Sequence, residues 1–156
     1  MKYPIGIQSF EKLREEGYVY VDKTDLIYSL THEGCVYFLG RPRRFGKSLL
    51  ISTLKSYYLG KKELFKGLAI EELEKDWKTY PVFHLDFGIG TYTNANALDQ
   101  VLDTYLSEWE EEYKVVRKPN ITDFRTCRIL SIMRNAKSLM RNTIAICFVL
   151  SSLPSR

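Results

Sequence analysis

A five-residue apolar run, Cys35-Val36-Tyr37-Phe38-Leu39, passes into Gly40-Arg41-Pro42-Arg43-Arg44-Phe45-Gly46-Lys47-Ser48. That loop opens onto Leu49, Leu50, Ile51, Leu54, Tyr57 and Tyr58, which are spaced as on one face of a helix that Gly60 would end. This junction constrains the chain more than any other stretch. An uncharged run of that length suits a strand buried on both faces, as in a parallel sheet. A loop from a buried strand to a helix N-terminus aims several backbone amides at one point and adds the positive end of the aligned peptide dipoles, so phosphate is its natural occupant.

In that reading Gly46 lets the main chain approach a phosphate, Lys47 reaches the β- and γ-phosphates, and the Ser48 hydroxyl joins a Mg²⁺ shell. One position departs from the pattern G-x-x-x-x-G-K-[ST]: Arg41 stands where its first glycine belongs, and Gly40 comes one residue early. Either the loop is one residue longer or Arg41 fits with altered dihedrals; the plainer alternative is a basic turn that caps a helix. Arg41, Arg43 and Arg44 add cationic charge that polyphosphate, an acidic partner or solvent could meet. Phe45 is expected to anchor the loop in the core rather than stack on a base.

Around the junction the chain reads as alternating short elements. Ser9 can cap a helix carrying Phe10 and Leu13 and ending at Gly17. Asp22-Lys23-Thr24 can cap a second helix through Leu26, Ile27 and Leu30, with Gly34 as its stop. Residues 61–80 mix helix and turn, with Leu73, Trp77 and Tyr80 packing inward. Pro81 to Phe87 reads as a second buried strand, and Leu98 to Tyr113 as an amphipathic helix with Glu108 and Glu110 to Glu112 in solvent. With 156 residues, 45% of them hydrophobic, the chain has room for one domain with a real core. Its three cysteines are too scattered for a disulfide framework or a metal knuckle, so a reducing cytoplasm is the expected compartment. No apolar run has the length of a membrane span. Neither His32 nor His84 has a Cys or Asp at ligand spacing; His84 reads as a packed core histidine and Cys35 as a small hydrophobe.

The stretch YFLGRPRRFGKSLLISTL, Tyr37 to Leu54, resembles the AAA-ATPase-like family of many anaerobic and gut bacteria. The resemblance extends to Tyr18-Val19-Tyr20-Val21-Asp22-Lys23-Thr24, to Leu59 through Leu68, and to Tyr80-Pro81-Val82-Phe83-His84-Leu85-Asp86, so it covers roughly residues 1–117. It implies an α/β fold, part of a P-loop NTPase with a mostly parallel sheet flanked by helices. It implies ATP and Mg²⁺ as ligands, with Arg41, Pro42, Arg43, Arg44, Phe45, Gly46, Lys47, Ser48 and Leu49 around the phosphates, Lys47 as the catalytic cation and Ser48 on the metal. Family proteins tolerate a residue other than glycine at the Arg41 position, and many carry a C-terminal domain similar to PD-(D/E)xK nucleases, a possible partner of this chain.

Such ATPases need a second apolar strand ending in acidic residues, one for Mg²⁺ and one to polarise water. Beyond Lys118 the only acidic residue is Asp123, and the best strand, Ile144 to Leu150, runs into Ser151-Ser152-Leu153-Pro154. Asp86, at the end of its own strand, is expected to order its loop rather than to substitute. Residues 118–156 hold seven basic residues and one acidic one, a net +6 within a chain of net +4. Lost motif, changed charge and early end together suggest a divergent basic tail from truncation or a shifted frame, with a short basic helix at Arg134 to Arg141. The leading expectation is therefore an ATP-binding module, 1–117, whose hydrolysis is weak or absent. The alternative is a non-specific nucleic-acid-binding module that uses Arg41, Arg43, Arg44 and the tail and weakens steeply with salt.

Overall fold

A computed structural model describes residues 1–33, 37–40, 42, 44–86, 95–114 and 146–150. The chain divides into two compact units, Met1–Thr79 and Tyr80–Arg156.

The first unit is built on an aromatic nest. Helix α1, Phe10–Glu15, starts where the Ser9 side chain accepts from the Lys12 amide, and it buries Phe10 and Leu13. The Phe10 ring meets Tyr20 at 5.2 Å and Phe65 at 4.9 Å between centroids, and Phe65 meets Trp77 at 5.3 Å. Edge-on and tilted pairs of this kind contribute about 0.5–1.5 kcal/mol each beyond the area they bury. Helix α3, Lys47–Tyr58, supplies Tyr57 to the same nest, 5.9 Å from Trp77. Between them come helix α2, Thr24–Glu33, and after α3 a 3-10 turn, Lys62–Phe65, and the short helix α4, Ala69–Leu73.

Polar ties lock these pieces in register. Arg14 donates from Nε to the Leu64 carbonyl at 2.7 Å and from Nη2 to the Lys66 carbonyl at 2.6 Å, which fixes α1 on the 3-10 turn. Asp22 accepts from the Thr24 amide and hydroxyl with one oxygen and from the Ala69 amide, 2.7 Å away, with the other. The Thr24 hydroxyl in turn accepts from the Ile70 amide. The pair therefore caps the first turns of both α2 and α4, where helix amides have no partner of their own. Partial burial works against the Asp22 carboxylate, but these donors outweigh it and hold its carboxyl below the ordinary range. Glu74, which accepts from the Tyr57 hydroxyl, is lowered for the same balance of reasons, while burial and that bond push the Tyr57 phenol up. After α3 the chain turns at Gly60, whose φ is +68° and where a Cβ would stand 2.6 Å from Thr79 Oγ1. A side chain there would be strained and blocked at once.

The second unit holds strands β1, Val82–Asp86, and β2, Ile146–Leu150, paired in parallel with Val82 opposite Ile146 and Asp86 opposite Leu150. Parallel strands need a long connection, and helix α5, Ala95–Glu112, lies in it. α5 packs on β1: Phe83 meets Trp109 at 4.9 Å and Tyr113 at 5.5 Å, and Leu106 is 2% exposed. The Tyr105 hydroxyl donates to the Asp86 carbonyl and accepts from the Asp86 amide, so it fixes the main chain at the end of the strand.

Helices α1, α2, α3 and α5 and strands β1 and β2 lie where periodicity and caps place them. Three expectations differ. Tyr37 to Leu39 form no strand, and Phe38 is 96% exposed. Within Met1–Thr79 the described β pairing is a single bridge between Lys2 and Tyr18, so among the described residues Tyr37 to Leu39 have no neighbouring strand in their own unit. Leu73 is 42% exposed because α4 stops there and no further turn covers it. The units divide at Tyr80 rather than near residue 118, because parallel pairing places β2 with β1. Cys35, Gly34 and the basic helix expected at Arg134 to Arg141 lie outside the described residues.

Replacing Asp22 by Ala removes an acceptor from two helix starts and should lower stability by about 1–2 kcal/mol, measured by urea unfolding at neutral pH. Because the folded-state carboxyls of Asp22 and Glu74 are depressed, their contribution is present above the usual carboxylate range and is lost as pH falls through the lowered folded values. Asp22→Asn should flatten that acid limb; an unchanged limb would show that the Asp22 charge does not matter.

Candidate functional site

The loop before α3 turns back on itself through two left-handed residues, Arg44 at φ 66° and Gly46 at φ 74°. For Gly46 this conformation carries no steric cost. For Arg44 it costs about 1 kcal/mol, strain of the kind that collects at functional sites. Among the described residues nothing lies within 4 Å of where a Cβ on Gly46 would stand, so they leave open space beside this glycine.

α3 begins at Lys47 with no side-chain cap and no acidic residue in its first turn. Its first internal bond runs from the Leu50 amide to the Gly46 carbonyl at 2.9 Å, so the amides of Lys47, Ser48 and Leu49 precede the helix's own ladder. The positive end of a twelve-residue helix is thus presented beside two cationic side chains, Arg44 and Lys47. The Lys47 side chain arcs back over the loop and donates from Nζ to the Pro42 carbonyl at 2.8 Å. The helix start, the Arg44 guanidinium and the Lys47 ammonium give this turn a positive character, which is the complement of an anion.

Pro42, Arg44, Phe45, Gly46, Lys47, Ser48 and Leu49 are brought together here, whereas Arg41 and Arg43 lie outside the described residues. Phe45 is 64% exposed, so it does not anchor the loop in the core. The left-handed residues on either side of it turn its side chain out. Gly46 and the Lys47-Ser48 start of α3 were legible from the sequence; the supports beneath them were not. Ser52 Oγ accepts from the Phe10 amide at 2.9 Å, and the Thr53 hydroxyl donates to the Leu49 carbonyl at 2.8 Å. The four-residue spacing of Ser48, Ser52 and Ser56 was the available signal. Among the described residues no group of three or more His, Cys, Asp or Glu side chains could hold a metal ion, and no helix is long and apolar enough to cross a membrane.

Over residues 4–148 the chain matches the family described as Predicted AAA-ATPase, and the match runs past residue 117 into the basic segment. The chain is also 46% identical over 100 residues to an uncharacterized protein in the vnfD 5' region of Azotobacter chroococcum mcd 1. That alignment covers 63% of this chain but only 19% of the relative. No solved structure matches the chain.

Gly46→Ala should destabilise the protein by about 1–2 kcal/mol, since open space leaves backbone strain as the whole cost. Gly46→Asn should lose less than Ala, as asparagine tolerates the left-handed region better. Thermal unfolding of the pair reads the order directly, and equal losses would contradict the left-handed geometry.

Proposed function

The chain belongs to the predicted AAA-ATPase family, and on that premise we propose that the loop Arg41 to Leu49 binds the polyphosphate of ATP together with Mg²⁺. One observation carries the reading: α3 starts uncapped at Lys47-Ser48 directly after a left-handed glycine, with Lys47 Nζ folded over the loop. The first-turn amides would bind phosphate oxygens, and Lys47 would exchange the Pro42 carbonyl for the β- and γ-phosphates. Arg44 adds charge that need not be directional. The residues present suit the metal as well. The Ser48 hydroxyl is a hard oxygen ligand of the type Mg²⁺ takes, and no first-turn carboxylate competes with the phosphates. Held there, Mg²⁺ would neutralise phosphate charge.

Hydrolysis is proposed to be slow. Beyond Lys118 the sequence carries one acidic residue, Asp123, and no apolar strand that ends in acidic residues, the pair such ATPases use to hold Mg²⁺ and polarise water. Loss of a group that stabilises the transition state costs about 10²–10³ in rate.

Calorimetry with ATP, with and without Mg²⁺, tests the reading. The native chain should bind and gain affinity from Mg²⁺, and Lys47→Ala should weaken binding by at least about tenfold, as loss of a charge-assisted contact implies. A folded native chain that gives no heat with ATP would overturn it. In the same preparation, phosphate release should run about a hundredfold or more below the 1 s⁻¹ foot of the usual turnover range; turnover inside that range would sink the proposal of slow hydrolysis.

A further inference from the structure

Ser48, Ser52 and Ser56 follow one another at four-residue steps in α3 and so stack along one face of the helix. Two of the three are tied to α1. Ser52 Oγ accepts from the Phe10 amide at 2.9 Å, an amide in the first turn of α1 that has no acceptor in its own helix. The buried Ser56 hydroxyl donates to Glu11 Oε1 at 3.4 Å, and the same oxygen holds Lys61 Nζ at 2.6 Å. Farther along, Arg14 grips the carbonyls of Leu64 and Lys66. The contacts advance in step along both segments, so α1 forms a fixed rail beside α3, and Ser48 stands one turn, about 6 Å, before the first tie.

We propose that Ser52 is a positioning residue for the Mg²⁺ ligand: by holding the start of α1 against the serine face of α3, it sets where the Ser48 hydroxyl stands. The proposal rests on the ATP reading above and extends it to residues that touch no ligand. Its logic lies in the different tolerances of the two contacts. Lys47 is a point charge on a flexible stem and keeps its attraction through small shifts of the helix. Mg²⁺ demands near-ideal octahedral geometry at 2.0–2.1 Å, so a hydroxyl displaced by a few tenths of an ångström is a poorer ligand. Loosening Ser52 therefore weakens the Mg²⁺-dependent part of nucleotide affinity and spares the rest.

The experiment measures ATP affinity calorimetrically in Mg²⁺ and in EDTA for the native chain, Ser52→Ala, Ser52→Thr and Lys47→Ala. Ser52→Ala should weaken binding in Mg²⁺ by about five- to tenfold and leave binding in EDTA within about twofold. Ser52→Thr keeps the acceptor and should restore the Mg²⁺ effect. Lys47→Ala should weaken both arms. An equal loss in both arms for Ser52→Ala, no loss at all, or failure of threonine to rescue would overturn the proposal. A second readout needs no variant: adding Mg²⁺ and ATP to the native chain should slow hydrogen exchange of the Phe10 amide severalfold, and ATP in EDTA should not. An unchanged exchange rate would overturn the coupling even if Ser52→Ala failed to fold. A native chain that binds ATP no better than Lys47→Ala fails at the ATP reading itself, an outcome distinct from failure at Ser52.

Discussion

Phe10 joins three parts of the first unit at one residue. Its ring sits against Tyr20 and Phe65, and its amide is bound by Ser52 of α3. The ring contributes area and tilted aromatic contact, which are strong but only loosely directional. The amide contributes direction, because a single N–H to hydroxyl bond fixes the slide of one helix along another. Arg14 repeats the device one turn on with two carbonyls, and Asp22 with Thr24 repeats it between α2 and α4. In each case a group at a helix or turn terminus, which has no partner in its own element, is satisfied by a distant side chain. The unit is thus held by apolar packing and aligned by terminal hydrogen bonds.

The loop before α3 departs from that rule. The starts of α1, α2 and α4 are capped by Ser9, Asp22 or Thr24, but α3 begins at a left-handed glycine with no side-chain cap. Its first turn lies beside Arg44 and Lys47 and holds no acidic residue. An uncapped helix start beside two cations is an arrangement that suits an anion.

Much of this was legible in the residues. Ser9 before Phe10, Gly17 after Glu16, and Lys47-Ser48 after Gly46 are local signals, because caps and left-handed turns depend on a few neighbouring residues. β1, β2 and α5 were legible from composition and period. Tyr37 to Leu39 were misleading because burial of an uncharged segment depends on a partner strand, and sequence does not say where that partner is. Phe45 misled for a related reason: an aromatic between two left-handed residues follows the turn of the chain rather than its own hydrophobicity. Tyr105 falls within the amphipathic helix expected from Leu98 to Tyr113, but nothing in that pattern says that its hydroxyl closes both main-chain groups of Asp86.

The sequence by itself determined the helix starts, the conformation required at Gly46 and the chemistry of the loop, since these are set by short-range sterics and by which atoms the residues carry. Tertiary structure alone decided that Ser52 and Ser56 face α1, that Asp22 reaches Ala69 across the intervening chain, and that β2 pairs with β1 in parallel with Asp86 opposite Leu150. Those pairings join residues dozens of positions apart, and no local preference encodes them. They arise only when apolar faces collapse together and the remaining polar groups must find partners in the geometry that results.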